Sequence, residues 1–448
     1  MAKVIKIKKG LDINIVGKPQ EVEVPAQLST TYGVVPDHYP GLLPKLEVKV
    51  GDSVLAGTPV LFHKSYPEVK IVSPVSGKVV AINRGDKRKI LSVEIAPGES
   101  LEYAPFSVDV KGKSREELLQ LFLSSGMFAL LRQRPYDYLP NPTIIPRDIF
   151  VTAKVTAPLT PKAQTLFGDR VEDIQAGIDA LAKLTSGKVY VGIPAGSGFK
   201  FSNCEVIEVA GPHPAGNVGV LINRTVPVNK GETVWTVSAS ELAIIGKFLR
   251  TGKTDFSKKI GIAGECVATR GIANVICGAN VAELVKDKLV NDTTKKRIID
   301  GDVLTGTMLT DEYTFMSPFS KVVSVIPEGD DTHEMFGWAA PGFNKYSVSK
   351  SYPAFLMGKK EFSFDARIRG GRRALIVSGE YDKVFPMDIY PEYLVRAIVS
   401  FDIDKMEERG IYEVAPEDFA LCEFVDTSKL ELQYLVRRAL DMLYKEMN

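Results

Sequence analysis

Cysteine and histidine are scarce, at four residues each in a chain of 448. Cys204, Cys266, Cys277 and Cys422 form no C-x-x-C pair, which argues against a disulfide scaffold, a zinc finger or an iron–sulfur cluster held by this chain. His38, His63, His213 and His333 fit no H-E-x-x-H motif, so no dedicated metal site is expected. Neither sign of charge dominates. Lys+Arg 56 against Asp+Glu 55 leaves +1, too weak a field to draw nucleic acid. Long apolar runs are also missing: the longest stretch without a charge, from Val209 to Asn223, carries Pro212 and Pro214 and is too short to span a bilayer. The start, Met1-Ala-Lys-Val-Ile-Lys-Ile-Lys-Lys, alternates apolar and basic residues without an apolar h-region and is expected to be a strand, not a signal peptide. A cytosolic chain is expected, with a peripheral membrane role left open.

What is present reads as a soluble multidomain protein. Hydrophobic content of 45% and charged content of 25% are ordinary for a globular chain, and the length suggests about three domains at roughly 150 residues each. Apolar alternation at Ile5, Ile7, Leu11, Ile13 and Ile15 before Gly17-Lys18-Pro19 predicts an opening hairpin. Then Val50-Gly-Asp-Ser-Val-Leu-Ala-Gly57 and Ser73-Pro-Val-Ser-Gly-Lys-Val79 resemble the barrel-sandwich fold of biotinyl and lipoyl carriers. Lys64 sits where a carrier's modified lysine would, but lacks its flanking residues, so a structural β module is preferred.

Further on, strands alternate with amphipathic helices. Ser114 and Glu117 form a capping box before Leu118, Leu121 and Phe122. Ile149–Val155 reads as a strand; Val171, Ile174, Ile178 and Leu181 predict a helix capped at Gly187. Val189–Ile193 and Thr233–Val237 are further strands, and Leu242, Ile245 and Leu249 mark another helix. A mostly parallel α/β domain over about 105–255 follows. Gly192-Ile-Pro-Ala-Gly196-Ser-Gly198 is not G-x-G-x-x-G, and Gly246–Thr254 has five residues between its glycines where a phosphate loop has four. Both are expected to be a turn or a helix end. No G-x-S-x-G elbow occurs. A small α+β unit to about Pro327 contains a helix through Val281, Leu284, Val285 and Leu289. After the basic stretch Arg367–Arg373, Ser428 and Glu431 are expected to cap a terminal helix through Leu432, Leu435, Val436, Ala439 and Leu443.

Several segments together resemble one family. They are Ile5–Ile13, Ser73–Val80 with Ile82–Gly85, Gly211-Pro-His-Pro-Ala-Gly216, Arg297–Gly306, Phe336-Gly-Trp338 with Pro341-Gly342, and Phe419-Ala-Leu-Cys-Glu-Phe424. In order and nearly end to end, they resemble the A subunits of bacterial sodium-translocating NADH:quinone reductases. The resemblance implies a multidomain α/β and α+β fold: a barrel-sandwich hybrid β module over 1–104, a Rossmann-like α/β domain over 105–256, a β-grasp (SLBB-like) domain over 257–345 and a C-terminal helical domain over 346–448. That arrangement is similar to the flavin-binding subunit of respiratory complex I. Flavin-binding relatives carry G-x-G-G-A-G-F-P where this chain reads Ser124-Ser-Gly-Met-Phe-Ala-Leu-Leu-Arg-Gln-Arg-Pro135, with only Gly126 left to let a phosphate approach the backbone. Iron–sulfur relatives carry C-x-x-C-x-x-C where only Cys422 stands, followed by Asp426-Thr427, which casts doubt on a redox role for Cys422.

The resemblance therefore implies a peripheral subunit on the cytoplasmic side of the bacterial inner membrane, in a sodium pump that couples quinone reduction to sodium export. The quinone (ubiquinone or menaquinone) would be the ligand here. NADH, flavins and iron–sulfur clusters would belong to partner subunits, especially membrane-embedded ones, and the isolated chain is not expected to be catalytic. A quinone needs apolar walls and one or two donors for its oxygens, where charge develops on reduction. Asp37, His38 and Tyr39 in a Pro-rich loop, with Phe128, Arg132 and Arg134 at an expected helix end, supply that mixture. His213 is expected to serve a structural turn. Two other readings stay open: a pure assembly scaffold without a quinone site, and a standalone nucleotide-dependent oxidoreductase, against which the missing glycines count.

Overall fold

The computed structural model describes residues 3–110, 112–330, 342–358 and 360–447. His333 and the motif residues Phe336-Gly-Trp338 and Pro341 lie outside the described residues.

Residues 32–97 form the β module. Strands Tyr32–Val34, Ile90–Pro97, Gly77–Arg84 and Ser53–Val54 lie side by side in that order, against a second sheet of Pro44–Leu46, Pro59–His63 and Lys70–Val72. Their inward residues, Val54, Val60, Leu61, Val79, Val93 and Ile95, are buried between the sheets. Along Ile90–Pro97 burial largely alternates, whereas in Pro59–His63 a register shift between Pro59 and Leu61 leaves the consecutive Val60 and Leu61 both buried.

The predicted opening hairpin does not form. Lys3–Lys6 instead becomes an edge strand of the α/β sheet, parallel to Glu205–Ala210 with Ile5 opposite Val209. The residues after it find partners elsewhere: Ile7 N–H donates to Ala210 O, Leu11 N–H to His213 O and Val16 N–H to Phe362 O. Alternation specifies which side chains face a core, not which strand lies alongside, and several partners satisfy the same pattern.

In the α/β domain the sheet order is Lys3–Lys6, Glu205–Ala210, Val189–Pro194, Ile149–Thr152, Val234–Ser238 and Arg132–Arg134; the first five are parallel and the last antiparallel. The central Ile149-Phe-Val151 is fully buried, as a strand covered on both faces requires. Helices Arg115–Ser124, Val171–Leu184, Val218–Thr225 and Ala239–Thr251 flank the sheet. The capping box at Ser114 and Glu117 is present. Gly187 is not the predicted cap: Val171–Leu184 ends at an extended Thr185. Gly252 does end its helix, with φ +72°, so the imitation phosphate loop is a helix terminus. Gly246 lies mid-helix where two helices meet; a Cβ there would sit 1.7 Å from Asp173 O.

The SLBB-like unit is a five-stranded sheet in the order Gly271–Ile276, Ser257–Ala263, Val322–Pro327, Lys296–Asp300 and Thr307–Met308. Its helix, Val281–Val285, is shorter than predicted and stops before Leu289; the Asn280 side chain caps it by accepting from Ala282 and Glu283 N–H. In the C-terminal domain, helices Pro391–Ser400, Ala420–Val425 and Leu432–Met447 enclose Val395, Phe419, Cys422, Val436 and Leu440, and this core is shared with Ile7, Ile13, Ile15 and Ile222. The expected Ser428–Glu431 capping box is absent: Ser428 Oγ donates to Ala374 O and Glu431 pairs with Arg372, because both side chains fasten the Arg-rich segment instead.

Gly246→Ala forces the helix pair Val171–Leu184 and Ala239–Thr251 apart, and overpacking of this kind costs about 1–3 kcal/mol. The melting midpoint of the variant is expected to fall; an unchanged midpoint would mean that the two helices separate freely.

Candidate functional site

Three domains meet at a seam lined by aromatic and charged groups, where His38 and Asp300 are buried and Tyr39, Arg132, Tyr313 and Phe319 are partly buried. From the β module, a 3₁₀ turn over Pro36–His38 leads into Tyr39. From the α/β domain comes Arg132, on the antiparallel edge strand Arg132–Arg134 and not at a helix end as the sequence suggested. From the SLBB-like unit come Asp300, at the end of strand Lys296–Asp300, and Tyr313 and Phe319, in the connection between strands Thr307–Met308 and Val322–Pro327. Arg132 Nη2 donates to His38 O at 2.7 Å, and its guanidinium lies 4.2 Å from the centre of the Phe319 ring. Tyr39 meets Phe319 edge-on at 6.0 Å, and the His38 ring meets Tyr313 edge-on at 5.3 Å. Tyr313 Oη donates to Asp300 Oδ2 at 3.1 Å, and Ser317 N–H donates to the same oxygen. Behind them Lys258 Nζ reaches Glu241 Oε1 at 3.3 Å and donates to Pro318 O.

The electrostatics follow from burial. His38 is pushed down to about 3 by desolvation, with the Arg132 charge adding to it. Desolvation raises the Asp300 carboxyl to about 6 despite its hydrogen bonds. Burial likewise lifts the Tyr39 and Tyr313 phenols and pushes the Cys277 thiol up to about 11. At neutral pH the seam thus holds a neutral imidazole and protonated phenols beside the Arg132 guanidinium. Among the described residues, His38 Nε2 and Arg132 Nη1 are buried with no hydrogen-bond partner.

The six sequence-predicted residues divide. His38, Tyr39 and Arg132 come together at the seam. Phe128 is fully buried, edge-on to Trp235 at 5.4 Å. Asp37 is exposed and pairs with Lys89 at 2.6 Å. Arg134, 1% exposed, faces the C-terminal domain, with Glu417 at 3.2 Å and Asp418 at 3.6 Å, and has Asp137 of its own domain at 3.7 Å. The Asp418 carboxyl is raised by burial, opposed by the Arg134 charge. It occupies the space that Gly219 leaves open, since a Cβ there would stand 2.5 Å from Asp418 Oδ2. Asp300, Tyr313 and Phe319 were missed; Asp300 lies within the motif Arg297–Gly306, the one signal that could have drawn attention to it.

Two other places bear on the expected cofactors. Met127 to Leu131, where flavin-binding relatives have glycines, are buried core residues, and a Cβ on Gly126 would meet Val72 at 2.7 Å. Cys422 lies fully buried in helix Ala420–Val425, and burial pushes its thiol well above the ordinary range. Among the described residues no group of three or more His, Cys, Asp or Glu could hold a metal ion. His213 is buried with Nδ1 3.2 Å from Thr156 Oγ1, in the loop leading to helix Val218–Thr225.

Family models match three spans that follow these units: the NqrA N-terminal barrel-sandwich hybrid domain over 5–98, the NqrA second alpha/beta domain over 113–254 and the NQRA C-terminal domain over 259–311. Curated relatives match end to end. The A subunit of the Na(+)-translocating NADH-quinone reductase of Neisseria meningitidis serogroup A is 34% identical over 448 residues, covering 99% of this chain and 100% of the relative. Those of Serratia proteamaculans and Vibrio vulnificus are 35% identical over 450 residues with the same coverage. The chain belongs to the NqrA family. Among solved structures, two states of an NAD+-reducing [NiFe]-hydrogenase align at 15% and 14% identity over 49% of this chain and 50% and 47% of theirs, with a TM-score of 0.33, too low to bear on the NqrA fold.

A buried neutral His38 stabilises the fold fully above pH 6.5, and that contribution is lost progressively as pH falls toward about 3, because the unfolded chain takes up the proton first. Between pH 7 and pH 5 the loss is about 2 kcal/mol. His38→Gln should show a smaller drop in melting midpoint over that interval than the unaltered chain. Equal drops would place the His38 imidazole in water.

Proposed function

We propose that this chain is a peripheral subunit on the cytoplasmic face of a sodium-pumping NADH:quinone oxidoreductase, where it contributes to quinone binding and to assembly with membrane-embedded subunits. The observation that carries the reading is the match over the full length of relatives that bear that name. No helix among the described residues is long and apolar enough to cross a membrane, in keeping with a peripheral place. In this reading NADH, flavins and iron–sulfur clusters sit on the partner subunits and quinone reduction is coupled to sodium export. The likeness to the flavin-binding subunit of complex I then concerns the scaffold and not its cofactors.

The quinone-binding residues we propose are Asp37, His38, Tyr39, Phe128, Arg132 and Arg134, with unequal parts. His38, Tyr39 and Arg132, beside Tyr313 and Phe319, supply aromatic faces, a phenol and two buried nitrogens without partners. A quinone head between such faces would have its oxygens within reach of Arg132 and the imidazole, and a fixed cation favours the charge that grows there on reduction. Phe128 supports the strand that carries Arg132, Arg134 fastens it to the C-terminal domain, and Asp37 with Lys89 marks the surface edge of the same loop. The full burial of Phe128 and Arg134 and the burial of His38 also favour the scaffold reading, in which no quinone enters the seam.

Affinity purification from gently solubilised native membranes should bring down membrane subunits together with sodium-stimulated NADH:quinone reduction; a lone chain without that activity would sink the assignment. In the assembled complex, Arg132→Met is expected to raise KM for quinone roughly tenfold or more, the range for losing a charged hydrogen bond. NADH oxidation by a soluble one-electron acceptor should stay unchanged, and Arg132→Lys should recover part of the loss. An unaltered KM in Arg132→Met would leave the scaffold reading.

A further inference from the structure

We infer that the turn Pro353–Met357, with Phe343 and the lysines Lys345, Lys350 and Lys360 beside it, is an apolar wedge that seats the chain on an anionic lipid surface. The inference deepens the peripheral reading above and rests on it.

Phe355, Leu356 and Met357 form a continuous apolar tip on the 3₁₀ turn Pro353–Met357, exposed by 51%, 74% and 48%, and Phe343 is exposed by 62%. Scattered apolar residues on a surface are ordinary, but a joined group marks a contact. The turn is held from behind. Ala354 is buried, and Tyr346 packs against Phe362, Phe364 and Phe424 at ring distances of 5.3, 5.2 and 6.1 Å. Gly358, with φ +62° and ψ −120°, ends the turn in a conformation closed to side chains.

The charge around the tip indicates what it meets. From Gly342 to Lys360 the sequence has four lysines and no acidic residue. Lys360 Nζ donates to Phe343 O at 3.1 Å and lies 3.9 Å from Met357 Sδ, so one cation joins both apolar stretches into a single patch. Lys350 lies 5.9 Å from the centre of the Phe355 ring, and Lys345 lies 5.7 Å from that of Tyr352. Lysine is depleted in protein–protein interfaces, where its hydration must be given up. At a bilayer surface it serves well: the stem lies along the apolar boundary while the ammonium meets lipid phosphates. An apolar tip within a segment whose every charge is a lysine therefore favours anionic phospholipid over a protein face.

Purified full-length chain would be sedimented with vesicles of phosphatidylethanolamine and phosphatidylglycerol, and with vesicles of phosphatidylcholine alone. Preference for the anionic vesicles by about tenfold or more, weakening with salt, is expected. Leu356→Asp, and the pair Lys350→Glu with Lys360→Glu, should each cut that binding roughly tenfold while the melting midpoint stays put. Equal binding to both vesicle types, or variants that sediment like the unaltered chain, overturns the inference. If Leu356→Asp spares vesicle binding but stops membrane subunits from co-purifying, the patch is a protein interface and the inference again falls. Loss of the wedge alone would show as no lipid binding with partner subunits still retained, whereas failure of the functional reading would show as no partner subunits at all.

Discussion

The arrangement of the four units depends on a three-residue edge strand, Arg132–Arg134, whose two guanidiniums are withdrawn from water. A buried guanidinium is tolerated only where fixed acceptors and anions surround it. Arg132 finds the carbonyl of His38 in one domain and the face of Phe319 in another. Arg134 finds carboxylates of the C-terminal domain. The strand itself is held by Val234–Ser238 in the central sheet. Shifting any one unit would strand a cation without its partners, so the short strand acts as a common reference for all of them.

The same constraint explains the chemistry of the seam. Enclosing groups from three domains desolvates them together, and each takes its uncharged form where it can: the imidazole of His38, the phenols of Tyr39 and Tyr313 and the thiol of Cys277. Arg132 keeps its charge and becomes a fixed cation facing His38 and Phe319. A positive charge on a background of neutral aromatic donors suits a ligand that is uncharged when it arrives and gains negative charge as it reacts. That is the property the proposed quinone site would need.

Much of the local structure was legible in the chain. Capping at Ser114, the apolar run Ile149–Val151 and the glycine at 252 each carry their information within a few residues. The misread elements depend on distant partners. The alternation of Ile5 and Ile7 is real, but its neighbour is Val209, not a returning hairpin arm. Ser428 and Glu431 have the spacing of a capping box, yet Ala374 and Arg372 compete for them and win. His38, Tyr39 and Arg132 are legible as the donors and ring faces a quinone would need, and the fold brings these three together. Asp300, Tyr313 and Phe319 could not be joined to them by spacing, since domain docking alone brings them near. The motif around Asp300 carries no trace of the loop it will meet.

The edge strand Lys3–Lys6 has a consequence for how the chain comes to be made. Its partner Glu205–Ala210 lies about 200 residues downstream, and Ile7, Ile13 and Ile15 are covered by helices later still. Synthesis at roughly 5–20 residues per second leaves this apolar alternating segment without its mate for about 10–40 s. During that interval the nascent chain displays an open strand edge of the sort that pairs with other chains. Lysines at positions 3, 6, 8 and 9 interrupt the apolar alternation of that segment, and charge so placed is what blunts an open edge against wrong pairing.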